Sequence, residues 1–188
     1  LQEKRAIAAA ALRLLRNGMT IFMESGATTH TMAEALAGPS GLSDITVITN
    51  SCDIAAKLVD RSEKATQRFR VVMLGGDFKH APMETFGAGT INDIHRYHAD
   101  VTLVSPWSVD ARMGATNSFP YMAELARAMV MNCDKTILLA DHSKICAPPP
   151  TAFCSVEDID HLITVKASRN IQDFESLNSA ISEIIIAD

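Results

Sequence analysis

Short apolar runs recur along the chain, separated by stretches with helical spacing, and this alternation constrains the fold more than any single motif. The runs are "MTIFM" (19–23), "ITVITN" (45–50), "FRVVMLGG" (69–76), "DVTLVS" (100–105), "KTILLAD" (135–141), "HLITV" (161–165) and "EIIIA" (183–187). Most are continuously apolar, which suits strands buried on both faces of a parallel sheet. Parallel neighbours need crossover connections, and helices supply them. Ile7, Ala10, Ala11, Leu14 and Leu15 share a stripe over 3–17, ended by Asn17-Gly18. "TTHTMAEALAG" stops at Gly38-Pro39, and "DIAAKLVD" (53–60), "AGTINDIHRYH" (88–98), "YMAELARAMVMN" (121–132) and a stretch around 171–180 complete the helices. The predicted fold class is α/β, a three-layer α/β/α arrangement around a mostly parallel, Rossmann-like sheet. Loops are expected over 77–86, 110–117 and 147–153, the last because three prolines exclude both helix and inner strand.

With 188 residues, 47% of them hydrophobic, the chain fits one domain of this class spanning 1–188. Its 17 basic residues are outnumbered by 22 acidic ones, so the formal net charge is −5. That balance gives no electrostatic reason to hold a nucleic-acid backbone. No apolar run reaches the roughly 18–20 residues of a membrane span. The opening "LQEKRAIAAAALRLL" is helical in pattern and does not resemble a signal peptide. Cys52, Cys133, Cys146 and Cys154 form no CxxC pair, so free thiols and a cytoplasmic location are expected. The start at Leu1 suggests a longer parent.

Open parallel sheets bind ligands at the C-terminal ends of their strands. The residues there are Glu24, Ser25, Gly26, Ala27, Thr28 and Thr29 after the first run, and Asn50 and Ser51 after the second. Gly75 and Gly76 follow the third, Ser105 the fourth, and Asp141, Ser143 and Lys144 the fifth. At the first corner, Gly26 lets a ligand approach the backbone, and Thr28 or Thr29 can cap the helix. The free N–H groups of the first helical turn, with the helix dipole, favour an anion. A plain strand-to-helix turn accounts for the same residues about as well. The corner matches neither GxGxxG nor GxxxxGK[ST], so a nucleotide site has little support. His95 and His98, three apart on a helix, lack an evident third metal ligand, and no metal or cofactor is expected. Asp110 and Glu124 are the candidate pair of catalytic carboxylates.

The stretches "MTIFMESGATT", "ITVITNS", "VVMLGG", "FGAGT", "ADVTLVS", "VDARMGATN", "AELARAM" and "ILLADHSK", in this order and spacing, resemble the C-terminal effector-sensing domain of DeoR-family bacterial transcription regulators. The resemblance runs from about Lys4 to about Val165. It implies a ribose-5-phosphate isomerase/CoA-transferase-like fold and a sensor for phosphorylated sugars or related metabolites. It also implies a winged helix-turn-helix preceding Gln2-Glu3-Lys4-Arg5, through which alone DNA is contacted. It carries ligand binding onto Ser25, Gly26, Thr28 and Thr29, Asn50 and Ser51, Gly75 and Gly76, Asp110, and Lys144. Ala27 stands in the same corner, where a threonine is usual, and Glu24 replaces the usual aspartate. Ala126 occupies the position of a family lysine, and Pro106-Trp107 replaces a glycine-containing turn. An unphosphorylated or otherwise altered ligand stays open on these grounds.

In the isomerase, a helix glutamate moves the proton between sugar carbons; counted without gaps it falls at Ala126, which cannot accept a proton. The expectation is therefore a non-catalytic, self-associating sensor of a small, sugar-type metabolite. A sugar-phosphate isomerase-like enzyme using Asp110 and Glu124 is the alternative, and a plain oligomerisation module with a vestigial pocket a third.

Overall fold

A computed structural model describes residues 1–59, 68–147 and 151–188. The chain begins with α1 (Gln2–Leu12), β1 (Thr20–Met23), α2 (Ala27–Ala37), β2 (Ile45–Thr49), α3 (Cys52–Leu58) and β3 (Phe69–Met73). A hairpin of β4 (Asp77–Lys79) and β5 (Glu84–Phe86) leads to α4 (Gly87–Ile94) and β6 (Ala99–Val104). Then come β7 (Ser108–Asp110), β8 (Gly114–Asn117), α5 (Pro120–Met131) and β9 (Cys133–Leu139). The last elements are β10 (Thr151–Cys154), β11 (His161–Val165), α6 (Phe174–Ala180) and β12 (Ile184–Ala187). None of the described helices is long and apolar enough to cross a membrane.

Seven strands form one parallel sheet in the order β12-β11-β9-β6-β1-β2-β3. Alternate residues of one strand enter different cores, which is why the runs lack polar alternation. Ile21 and Met23 pack with Ile7, Met32 and Leu36 of α1 and α2, while Phe22 packs with Ile94, Leu125 and Met129 of α4 and α5. Helices thus cover both faces, and the α/β class holds.

The segments expected as loops contain strands. Residues 77–86 form the β4–β5 hairpin, and 108–117 form β7 and β8, which join β10 in a second, antiparallel sheet. Each strand spans only three or four residues, too few to display a period. Thr151, Ala152 and Phe153 are strand residues as well. The prolines at 148–150 and the last residue of the helix expected over 53–60 lie outside the described residues. The helix expected over 88–98 ends at Ile94, and that over 3–17 at Leu12.

The chain winds from β1 outward to β3, then crosses back to β6 on the other side of β1. The strand order therefore reverses between β1 and β6, where the crevice of an open α/β sheet lies. The far end of α2 is anchored by Arg68. Its guanidinium donates to the carbonyls of Leu36, Ala37, Gly38 and Leu42 and to Ser40 Oγ. A cation here also complements the C-terminal pole of the helix. Arg68→Ala strips these carbonyls of their donor and should cost about 2–3 kcal/mol, read as a lower urea midpoint with an unchanged slope.

Candidate functional site

Helix α2 starts without a side-chain cap: Gly26 is the N-cap, in extended backbone with φ −177°. Contrary to expectation, neither threonine caps it, because Thr29 Oγ1 donates to the Gly26 carbonyl at 2.9 Å. The first intrahelical bond runs from the His30 amide to Gly26 at 2.8 Å. The amides of Ala27, Thr28 and Thr29 accordingly have no intrahelical acceptor. They sit at the switch between β1 and β6, where a Cβ on Gly26 would fall 3.5 Å from that of Ser105.

A cleft of about 360 Å3 opens there. Its floor is Ser25, Gly26, Ala27 and Thr28, with Ser105 and Pro106 alongside. One wall comes from the second sheet and the start of α5, through Trp107, Asn117, Ser118, Phe119, Tyr121 and Met122. Three lysines line it, Lys4 from α1, Lys79 from β4 and Lys144 from the turn after β9. Lys79 donates to the Tyr121 hydroxyl at 2.8 Å, which raises the pKa of its ammonium above the ordinary value. Lys144 lies over the Trp107 ring, 4.5 Å from its centroid. Lys4 pairs with Asp141. Burial works against the Asp141 carboxylate, but Lys4 and Ser143 outweigh it and hold its pKa below the usual value. Cations and free amides thus converge on one crevice, an arrangement suited to an anion.

Of the residues singled out in the sequence, Ser25, Gly26, Ala27, Thr28 and Lys144 line this cleft. Thr29 is buried behind it. Asn50 is engaged structurally: its carbonyl oxygen accepts from the Ser25 amide at 2.9 Å and its amide donates to Thr85 at 3.1 Å. Ser51 caps α3 through the Ile54 amide. Gly75 donates to Asp93, and Gly76, at φ +133°, packs against Thr90. Asp110 accepts from the amides of Arg112 and Met113 in the β7–β8 turn and borders a separate hollow. Glu124 pairs with Arg127 on the surface, and Ala126 is buried. His95 and His98 turn to Asn132 and Asp134. Lys4 and Lys79 escaped the sequence reading, because one lies near the chain start and the other in an expected loop. A larger hollow of about 650 Å3 lies along α2 and α3, where Arg68 and Lys57 are already engaged.

Beneath the cleft lie two buried acids, Glu24 after β1 and Glu84 on β5. The Ser51–Glu84 bridge and the Cys52–Met83 hydrogen bond bring the hairpin there. Burial raises the Glu24 pKa well above the usual range, and Glu84 raises it further, while the Ser105 amide offsets a part. The folded state then holds a proton that the unfolded chain releases, so this group's contribution to stability falls as pH rises above ~4. Glu24→Gln should raise the melting temperature at pH 7–8, the gain shrinking as pH is lowered toward ~4.

The profile of the DeoR C terminal sensor domain matches residues 1–166. The chain belongs to the DeoR family. Among its DeoR-family relatives is the HTH-type transcriptional regulator GolR of Listeria innocua, 30% identical over 87% of this chain and 61% of that protein. Another is the glycerol-3-phosphate regulon repressor of Haemophilus influenzae, 26% identical over 92% of this chain and 64% of the repressor. The chain thus spans about three fifths of the length of these DeoR proteins. In fold, this DeoR sensor domain is similar to ribose 5-phosphate isomerase A of Methanocaldococcus jannaschii, with a TM-score of 0.53 at 16% identity, covering 76% of this chain and 53% of the isomerase.

Proposed function

We infer that this DeoR sensor domain binds a small, phosphorylated, sugar-type metabolite in the cleft between β1 and β6, and that occupancy controls DNA binding by a helix-turn-helix segment of a longer cytoplasmic regulator. The observation that carries this is the start of α2, whose first amides have no intrahelical acceptor, at a cleft that three lysines line among the described residues. The phosphoryl group sits on Ala27, Thr28 and Thr29, with Lys79 and Lys144 balancing its charge. The net charge of −5 supports assigning DNA contact to another segment. Control requires the effector to bind two arrangements of a homo-oligomer unequally. No cofactor is needed for this role.

A catalytic reading draws on one observation, the buried Glu24–Glu84 pair, since a carboxylate with a raised pKa is what proton transfer from carbon needs. Both groups are buried, at 2% and 1% exposure, and neither lines the cleft where the anion sits, while Glu124 is engaged with Arg127. Sensing is therefore the preferred function. The test is to incubate the purified protein with pentose and hexose phosphates and follow melting temperature and product together. Stabilisation without turnover is expected; turnover, or no stabilisation by any phosphate ester, overturns it.

A further inference from the structure

Under the floor of the cleft is a small cavity of about 10 Å3, bordered by Glu24 and Glu84, roughly room for one water. Ser25, Tyr121 and Met122 border both this cavity and the cleft, so one thin wall separates them. Glu24 Oε1, Glu24 Oε2 and Glu84 Oε1 are buried without a well-formed hydrogen bond among the described residues, the Ser105 amide being the weakest of the influences on Glu24. Buried carboxyl oxygens without donors are unfavourable, and the proton that Glu24 holds supplies one donor at most. Such a pair is complementary to a group bringing several N–H donors and a positive charge. A hydroxyl brings one donor and no charge. An ammonium brings three donors for three vacant oxygens and a positive charge that favours ionised Glu24.

We propose that the Glu24–Glu84 pair is a deep subsite for an ammonium group, so that the effector of this cleft is an amino-sugar phosphate. The proposal rests on the anion-binding role of the cleft, because the same ligand must reach both ends. Glu24 is three residues before Ala27, so their Cα atoms are at most ~11 Å apart, within the span of a phosphorylated hexose. Met122, unbranched and flexible, is the element of the wall that yields. The titratable groups around the pair are the Tyr121 phenol on α5 and Lys79 on β4, which are hydrogen-bonded to each other.

Calorimetry of the whole chain with glucosamine 6-phosphate, galactosamine 6-phosphate, glucose 6-phosphate and inorganic phosphate tests this. At least one amino sugar phosphate should bind ten-fold or more tighter than glucose 6-phosphate. Buffers of different ionisation enthalpy should reveal about one proton released as Glu24 ionises. Glu84→Gln and Glu24→Gln, isosteric changes that relieve repulsion, should each remove the preference while leaving inorganic phosphate affinity within two-fold. Equal binding of amino and hydroxyl sugars, or a preference surviving in both variants, overturns the deep subsite. If inorganic phosphate binds in either case, the anion cleft stands alone. If neither phosphate nor any ester binds, cleft and subsite fall together.

Discussion

Gly26→Asp should lose at least 100-fold in affinity for phosphate and phosphate esters while melting at or slightly above the temperature of the parent protein. The backbone at Gly26 is extended, so a side chain meets no conformational penalty. A Cβ there would lie 3.2 Å from Thr29 Oγ1, which must give by a few tenths of an ångström while bonded to the Gly26 carbonyl, and 3.5 Å from Ser105 Cβ. Aspartate is among the favoured N-cap residues, slightly better than glycine, and its carboxylate accepts from amides two or three residues on. Those are the amides assigned to the phosphoryl group. The variant thus carries its own anion in the site, and an incoming dianion meets both an occupied cradle and a like charge. Calorimetry with inorganic phosphate, beside a melting curve, reads the two effects separately. Unchanged phosphate affinity in a folded variant would place the anion elsewhere.

Gly114→Ala should be the most damaging single methyl addition at the second sheet, costing about 3–4 kcal/mol. Gly114 opens β8 with φ +70°, which an L side chain adopts at a cost of about 1–2 kcal/mol. The added Cβ would fall 2.1 Å from the Cys154 carbonyl oxygen and 3.0 Å from Ser155 backbone atoms. These are backbone groups at the end of the neighbouring β10 strand and just after it, so relief requires moving a strand, which adds about 1–3 kcal/mol. Pairing of Ala115 with Cys154 is lost first. The wall formed by Asn117, Ser118 and Phe119 follows, so sugar phosphate affinity should drop with stability. Urea denaturation followed by circular dichroism gives the first quantity; a shift in midpoint under a third of that expected from 3 kcal/mol would mean the strands separate easily.

The layered architecture could be read from residues such as Phe22 between Ile21 and Met23, because a strand with no polar neighbour needs apolar cover on both faces. The first corner was legible for a similar reason: Ser25-Gly26 between a strand and a helix leaves amides free whatever surrounds them. The second sheet was not, since Gly114, Ala115, Thr116 and Asn117 are small and unperiodic and become a strand only through pairing with Ser108–Asp110 and Thr151–Cys154. Asn50 shows a different limit. Its position after a strand suggests a ligand contact, yet both ends of its side chain are consumed in holding Ser25 and Thr85. The juxtaposition of Glu24 with Glu84 depends on a hairpin docking against the end of β2, sixty residues of chain having no local signal for it.

Lys4 belongs to the first turn of α1, faces the crevice, and is tethered to Asp141. One ammonium cannot satisfy two full claimants. A guest carrying negative charge would compete with Asp141 for it, next to the Glu3–His142 contact that also joins α1 to the turn after β9. If an anion fills the crevice as proposed, it should loosen the latch on the leading end of the chain and turn a local exchange of partners into a displacement of a whole helix.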